Sequence, residues 1–241
     1  MRRLLALAWT VYAVTAFVLI ALVLFGPLIV LWPTLAGRRA LGRACVRSFL
    51  AAWFVPFTVR GREHLPAGAC VVVSNHVSYL DGLAMMAALP GRFLFLVQDG
   101  AARWPYVGLI LKRAEVVFVD RSSPRNAARQ TRVLIRELEA GGCLTVFPEG
   151  TFRDTPGLLP FRNGAFLMAA RTHSAVVPAV IRGTRQVFGG QPLRLRHGRV
   201  EIEFLPPLLP DGDDRDAAHR LRDAARAAIA PRCGEPDTQQ H

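Results

Sequence analysis

An uninterrupted apolar run near the N-terminus constrains this chain most. Residues 4–32 are 29 consecutive residues without a charged side chain. About 20 such residues are enough for a helix to cross the hydrocarbon core of a bilayer, so the run is long enough to enter a membrane. It ends in Gly26-Pro27 and Trp32-Pro33 and lacks the small-residue cleavage site of a secretory signal, so we expect it to be retained.

The segment after Pro33 is basic and amphipathic. Its arginines recur at mostly helical spacing before the apolar run 49–57, a pattern typical of a helix that lies in the membrane interface with its arginines on lipid phosphates. Two arrangements are open: a single span followed by an interfacial helix, or a helical hairpin that dips into one leaflet. We assign residues 1–57 to an N-terminal membrane anchor. The arginines of the segment after Pro33 are Arg38, Arg39, Arg43 and Arg47.

The charge balance narrows the class of partner. Thirty basic and eighteen acidic residues give a net charge of +12, which favours an anionic partner, either a membrane surface or a nucleic acid. No zinc-finger spacing, RNP-like aromatic motif or basic region linked to heptads is present, so we expect a bilayer and no nucleic acid. Four arginines follow the apolar run and two precede it, which favours the inner membrane with the body of the chain on the cytoplasmic side.

The cysteines indicate neither a metal site nor a disulfide framework. None of the four belongs to a C-x-x-C pair or to another metal-binding spacing. Cys70 and Cys143 each adjoin an apolar run, which predicts buried thiols in a reducing compartment.

From about Arg60, short apolar runs alternate with helical patterns. Several runs are too continuously apolar to have a face in water, which is typical of strands buried on both faces. This predicts an α/β domain over residues 58–230, with a mixed, largely buried sheet and helices on both faces, and a frayed tail over residues 231–241. The predicted strands are 70–73, 93–97, 116–119, 143–147, 176–181 and 200–204, and the predicted helices are 79–89, 125–139, 164–172 and 216–229.

The first of these strands leads into a histidine and a carboxylate. His76 follows the strand 70–73, and Asp81 comes five residues later. On one continuous helix the two side chains would lie roughly 140° apart, so they can pair only if His76 is in the turn before the helix that carries Asp81. A carboxylate on one imidazole nitrogen fixes the tautomer and raises the basicity of the other nitrogen. The spacing therefore predicts a general base.

Two further strands end in residues suited to binding a ligand. After the strand 143–147, Glu149 and Thr151 offer hydrogen-bonding groups, and Gly150 allows a ligand to approach the backbone closely. A third strand leads into Arg121, whose guanidinium can hold a phosphate through two hydrogen bonds. If these strands lie side by side, their ends form one site with the histidine and its carboxylate.

Four blocks in this order resemble the glycerolipid acyltransferase family, in particular its bacterial 1-acylglycerol-3-phosphate acyltransferases. They are NHVSYLD at 75–81, FVDR at 118–121, FPEGT at 147–151 and VVPAVIRG at 176–183. The resemblance covers roughly residues 60–205, and the segment FRNG at 161–164 is similar to the family's F-K-x-G segment, with Arg162 in the basic position.

The resemblance implies transfer of a fatty acyl group from acyl-CoA or acyl carrier protein to lysophosphatidic acid, which gives phosphatidic acid. It implies His76 as the general base and Asp81 as its orienting partner. No cofactor or metal is expected, since the acyl donor is a substrate. The expected binders of the phosphorylated acceptor are Arg121, Glu149, Gly150, Thr151, Arg153 and Arg162.

Alternatives to this activity remain open. Many relatives have an arginine directly after the threonine of FPEGT, where this chain has Phe152, and Gln98-Asp99 stands where a lysine is frequent. Another lysolipid, such as a lyso-ornithine lipid or a lysophospholipid, is therefore an alternative acceptor. From other classes, a membrane lipid hydrolase would use the same His/Asp pair to activate water, and a non-catalytic scaffold would use only the basic surface. The chain has no G-x-S-x-G nucleophile elbow, so transfer without an acyl-enzyme is the predicted route.

Overall fold

The computed structural model describes residues 2–98, 100, 103–119, 124–189 and 194–238. The chain begins with a long helix, α1 (Arg2–Phe17), which continues through a π-helical stretch (Val18–Phe25) into α2 (Gly26–Leu31). The helices that follow are α3 (Leu35–Ala52), α4 (Leu80–Ala88), α5 (Pro105–Arg113), α6 (Pro124–Glu139), α7 (Gly164–Arg171), α8 (Thr184–Val187) and α9 (Arg215–Cys233).

The first 52 residues form a helical hairpin that is docked on the rest of the protein. Between its arms, Thr34 accepts a hydrogen bond from the backbone N–H of Gly37 and so caps the start of α3. Trp53 Nε1 donates to the carbonyl of Ala13 at 2.9 Å, which joins the end of α3 to the interior of α1. The stretch Leu7–Leu31 is long and apolar enough to cross a membrane by length and composition. The two helical arms pack as a hairpin, and its placement in one leaflet of a membrane stays a prediction.

The arginines of α3 have partners within the protein. Arg39 Nη1 donates to the carbonyl of Gly91 at 2.9 Å, and Arg47 Nη2 donates to the carbonyl of Ala87 at 2.8 Å. Ala87 lies in the last turn of α4, where a helix carries partial negative charge, and Gly91 lies in the turn that follows. The two arginines therefore tie the hairpin to α4 and the turn after it, and their contact with lipid phosphates stays a prediction.

A mixed sheet forms the centre of the domain, as the sequence predicts. Its strands lie in the order β1-β9-β6-β2-β5-β3-β4. Strand β2 pairs in parallel with β5 and β6, β3 pairs in parallel with β5 and β4, and β6 pairs antiparallel with β9. The strands are β1 (Phe57–Arg60), β2 (Cys70–Ser74), β3 (Phe93–Gln98), β4 (Val117–Val119), β5 (Cys143–Val146), β6 (Ala175–Arg182) and β9 (Val200–Phe204), while β7 (Phe188–Gly189) and β8 (Arg194–Leu195) form a separate ribbon.

The central strands separate two apolar cores. Successive side chains of a strand point to opposite faces, so Val72 packs with α3 and α4 while Val71 and Val73 pack with α6, α7 and α9. All five residues of β2 are buried, which explains why this strand is apolar without alternation. The four cysteines are free and buried, which confirms the prediction for the thiols.

The C-terminal segment differs from the predicted frayed tail. Helix α9 continues to Cys233, the backbone N–H of Leu158 donates to the carbonyl of Pro236 at 2.8 Å, and Arg226 pairs with Asp237. The prediction is therefore wrong for residues 231–238, because their acidic side chains and carbonyls have partners on the folded domain. Residues 239–241 lie outside the described part of the chain.

Candidate active site

The His76–Asp81 pair has the arrangement that the spacing predicts. His76 lies between β2 and α4, and Asp81 lies in the first turn of α4. His76 Nδ1 is 2.9 Å from Asp81 Oδ2, and the same oxygen accepts hydrogen bonds from the backbone N–H groups of Val77 at 2.6 Å and Ser78 at 2.8 Å. The carboxylate is fully buried. A carboxylate at Nδ1 assigns the ring proton to that nitrogen and leaves Nε2 as the basic atom.

Aromatic side chains surround the imidazole of His76. Its ring stacks on Phe147, with the two centroids 4.2 Å apart, and Phe152 meets it edge-on at 4.7 Å. The exposed Tyr79 packs edge-on against Phe152 at 4.7 Å. The histidine side chain retains 18% of its accessible surface. These rings restrict the approach to the histidine without closing it.

Asn75 holds the turn to the sheet, a role that the sequence analysis missed. Its side chain is fully buried, with Nδ2 donating to the carbonyl of Ile181 at 2.9 Å and Oδ1 accepting from the N–H of Ile181 at 2.8 Å. The amide therefore imitates a neighbouring strand and extends the pairing of β2 with β6. The available signal was a polar residue placed directly after a buried strand.

Glu149 connects the histidine turn to the loop that follows β5. Its carboxylate is buried, with Oε1 accepting from the backbone N–H of His76 at 2.6 Å and Oε2 accepting from the N–H of Leu159 at 2.7 Å. Burial raises the pKa of Glu149 to about 7, although both backbone hydrogen bonds oppose the increase. Because both oxygens are engaged by the backbone, the side chain holds the site together, and its direct contact with an acceptor stays a prediction.

The turn after Glu149 brings an arginine to the site. Gly150 adopts a φ of +74°, which favours glycine, and a Cβ at this position would lie 2.8 Å from Nε of Arg162. Arg162 is anchored by its backbone N–H, which donates to the carbonyl of Pro148 at 2.8 Å, while its side chain is exposed. The structure therefore places the guanidinium over the turn that contacts His76 through Glu149.

The other predicted binders of the acceptor are less closely placed. Thr151 and Arg153 are exposed on the same loop. Arg121 lies outside the described residues, as do Asp99 and Asp120.

Residues from the C-terminal third support the loop 150–162, and sequence reasoning missed them. Arg185 Nη1 donates to the carbonyls of Arg153 at 2.6 Å and Asp154 at 2.9 Å, and its Nε donates to Glu235 at 2.9 Å. Arg226 Nη1 donates to the carbonyl of Leu159 at 2.6 Å. These partners are separated by 31 to 67 residues, a distance at which spacing carries no signal.

An apolar cavity of about 360 Å³ lies beside the hairpin. Residues of the hairpin, α4, β3 and α5 line it, including Phe17, Phe49, Met86, Phe95 and Ile110. Within the described residues, no three or more His, Cys, Asp and Glu side chains are grouped as metal ligands would be.

The His76–Asp81 pair lies beside parallel strands of the sheet, and the residues around it match one family of enzymes. Residues 56–182 match the family model described as Acyltransferase, and the chain belongs to this family. It is 34% identical to 1-acyl-sn-glycerol-3-phosphate acyltransferase alpha of Bos taurus, over 71% of this chain and 60% of that protein. It is 28% identical to the 1-acyl-sn-glycerol-3-phosphate acyltransferase of Limnanthes alba, over 83% of this chain and 73% of that protein.

A solved structure has the same fold. The 1-acyl-sn-glycerophosphate (LPA) acyltransferase PlsC from Thermotoga maritima matches with a TM-score of 0.74 and 22% sequence identity, covering 95% of this chain and 98% of that one. The match includes the N-terminal hairpin as well as the sheet, because so little of either chain is left out.

Proposed function

We propose that this protein transfers a fatty acyl group from a thioester, acyl-CoA or acyl carrier protein, to the free hydroxyl of lysophosphatidic acid, with phosphatidic acid as product. The contact between His76 Nδ1 and Asp81 Oδ2 at 2.9 Å carries the proposal, since it leaves Nε2 as a base at the edge of the sheet. Membership of the acyltransferase family and the names of the similar relatives support the same reaction.

In the proposed mechanism, His76 Nε2 takes the proton of the acceptor hydroxyl as its oxygen attacks the thioester carbonyl. Asp81 stabilises the imidazolium that forms. When the tetrahedral intermediate collapses, the carbon–sulfur bond breaks, and the thiolate leaves with the proton that His76 returns. General-base assistance of this kind is worth about 10²–10⁴-fold in rate. No covalent acyl-enzyme is required.

Arginine side chains would bind the phosphate of the acceptor. Arg162 lies over the Gly150 turn with an exposed guanidinium, and Arg153 and Arg121 complete the proposed basic set. A different lysolipid acceptor is the second candidate, and Phe152 favours it. This aromatic side chain packs edge-on against His76 at the place where many relatives have an arginine, so one potential phosphate ligand is missing beside the base.

The bilayer is the proposed partner, with the hairpin embedded in the cytoplasmic leaflet of the inner membrane. Within the stretch Leu7–Leu31, a window of 18 residues has a mean hydropathy of 2.8, and only 11% of that window is buried within the protein. Lysolipid and product both reside in the bilayer, whereas the thioester donor is soluble. An enzyme held at the interface brings the two substrates together.

The proposal is tested with the full chain in mixed lipid and detergent micelles. Labelled lysophosphatidic acid is supplied with acyl-CoA or acyl carrier protein donors, and phosphatidic acid is measured by thin-layer chromatography. His76→Ala is expected to lower the rate by about 10²–10⁴-fold. His219→Ala, on the exposed face of α9, is the matched control and should leave the rate unchanged.

Each other result identifies a different error. Acylation of other lysolipids in place of lysophosphatidic acid would show that the acceptor is wrong. Release of free fatty acid without transfer would identify a hydrolase. Loss of product in both histidine variants, or a rate that does not depend on His76, would overturn the proposed base.

A further inference from the structure

Helix α5 presents large apolar side chains to solvent. Trp104, directly before the helix, is 63% exposed, and Tyr106 and Leu109 are 38% and 43% exposed. These three residues form the α5 face. An adjacent side of α5, which includes Val107 and Ile110, lines the apolar cavity, and part of Trp104 lines it as well. The helix therefore has two apolar sides, of which one is covered by the protein.

Helix α5 packs along the long N-terminal helix of the hairpin. Tyr106 Oη donates to the carbonyl of Leu22 at 2.8 Å, and Arg113 Nε donates to the carbonyl of Val30 at 2.9 Å, so α5 lies along the second half of the long N-terminal helix. Gly26 permits this approach, since a Cβ there would lie 2.5 Å from Tyr106 Oη. The same long helix also exposes apolar side chains of its own, namely Leu24 at 57%, Leu28 at 41% and Leu31 at 77%.

We propose that the α5 face is a second lipid-binding surface, so that α5 lies in the interfacial layer of an anionic bilayer beside the hairpin. Trp104 and Leu109 would contact acyl chains near the headgroups, a depth at which tryptophan is enriched. Lys112 is exposed one turn after Leu109, where its ammonium can reach lipid phosphate while its methylenes cover apolar surface. A bilayer is the occupant because α5 packs directly against the most apolar segment of the chain.

This inference rests on the membrane location in the proposed function but not on the proposed reaction. It also extends the membrane contact beyond the N-terminal hairpin. The bilayer would contact α5, a helix inserted between β3 and β4, about fifty residues after the hairpin. The orientation of the α/β domain on the membrane is then fixed by two surfaces, so rotation about the hairpin is prevented.

Single-cysteine labelling of the full chain tests the proposal without any substrate. The four native cysteines are buried, so an environment-sensitive thiol label can be directed to Leu109→Cys. Val133→Cys is the matched control, because Val133 is 51% exposed and apolar but lies on α6. The labelled proteins are bound to vesicles of phosphatidylethanolamine and phosphatidylglycerol, and quenching is measured with aqueous iodide and with brominated lipid.

The label at position 109 is expected to show a several-fold lower iodide quenching constant than the label at 133, together with quenching by brominated lipid. Equal access of iodide to both positions would overturn the proposal. Shielding at 109 that depends on protein concentration, without quenching by brominated lipid, would also overturn it and would identify a second copy of the chain as the occupant. Because no acyl transfer is measured, failure of this test is separate from failure of the proposed reaction.

Discussion

The two halves of the site are stabilised over very different distances along the chain. In the turn 75–81, one oxygen of Asp81 accepts hydrogen bonds from three residues that all lie within five positions of it. The loop 150–162 depends instead on Arg185, Arg226 and Glu235, which come from α8, from α9 and from the C-terminal segment. The position of the base is thus determined by hydrogen bonds between residues close in sequence. The position of the loop proposed to bind the acceptor is determined by contacts with distant parts of the folded domain.

Glu149 is the point at which these two regions meet. One carboxylate oxygen accepts from the turn and the other from the loop. Variants that act on the turn alone, on the junction, or on the loop alone should therefore separate into distinct kinetic and stability effects.

The largest effect is expected from Asp81→Asn, which acts on the turn alone. Asp81 Oδ1 has no hydrogen-bond partner among the described residues, so the asparagine oxygen can occupy the position of Oδ2 and keep the geometry of the turn. Only the charge that stabilises the imidazolium is lost. We expect kcat to fall by about 10²–10⁴-fold with little change in the KM for the acceptor, measured by steady-state kinetics. A comparable rise in KM would show that the turn and the loop are not independent.

An intermediate effect is expected from Glu149→Gln, which acts on the junction. A glutamine has one side-chain oxygen for two backbone N–H groups, so either His76 or Leu159 loses an acceptor, which costs about 1–3 kcal/mol of unfolding free energy. Chemical denaturation in a mild detergent measures this loss. Unchanged stability would show that the two amides find other acceptors.

The same variant tests the pH dependence of stability. Burial raises the pKa of Glu149 to about 7 in the folded protein, above its ordinary value of 4.5, so the folded state holds this proton more tightly than the unfolded state. Its stabilising contribution is complete below pH 4.5 and is lost as the pH rises through 7. We expect the unfolding free energy of the parent protein to fall over this range, and the glutamine variant to lack this part of the fall.

The smallest effect is expected from Glu235→Gln, which acts on the loop alone. The variant weakens the partner of Arg185 in a pair whose side chains are 20% and 10% exposed, and so loosens the carbonyls that Arg185 holds on the loop. We expect the KM for the acceptor to rise by roughly three- to tenfold, about 1 kcal/mol, with kcat nearly unchanged.

Asp211→Asn is the matched control for this variant. It breaks the pair with Arg220, whose side chains are 59% and 56% exposed and do not contact the loop. Exposed pairs contribute little because solvent screens their charges, and no change in KM is expected. If both variants change KM equally, the change is caused by the loss of a negative charge anywhere on the protein. The loop would then not depend on Glu235.

The features that could be predicted from the sequence are the local ones, and the features that could not are those that depend on contacts between distant residues. The strands β2 and β5 were predicted because strands buried on both faces are apolar without interruption, and the His76–Asp81 contact was predicted because it needs only the geometry of one turn. Strand β1 was missed because it has only four residues, the first of which, Phe57, was assigned to the apolar run 49–57. Helix α5 was missed because Pro105 and Gly108 obscure its helical pattern.

Contacts over long distances could not be predicted from spacing. The arginines of α3 were recognised by their helical spacing, but the carbonyls of Ala87 and Gly91 that they bind are set by how the hairpin packs on α4. In the same way, Glu235 has no local pattern that would connect it with Arg185. Such partners are determined by the fold as a whole.

The contacts of Asn75 also bear on the chemical ageing of the protein. Asparagine is a labile residue, because the backbone nitrogen that follows it can attack its side-chain amide and release ammonia. At Asn75 both reacting groups are held, the amide by Ile181 and the following nitrogen, that of His76, by Glu149 at 2.6 Å. Deamidation would also leave a carboxylate, which has no proton to donate to the carbonyl of Ile181. The hydrogen bonds that shape the turn thus protect the residue beside the base from spontaneous decay.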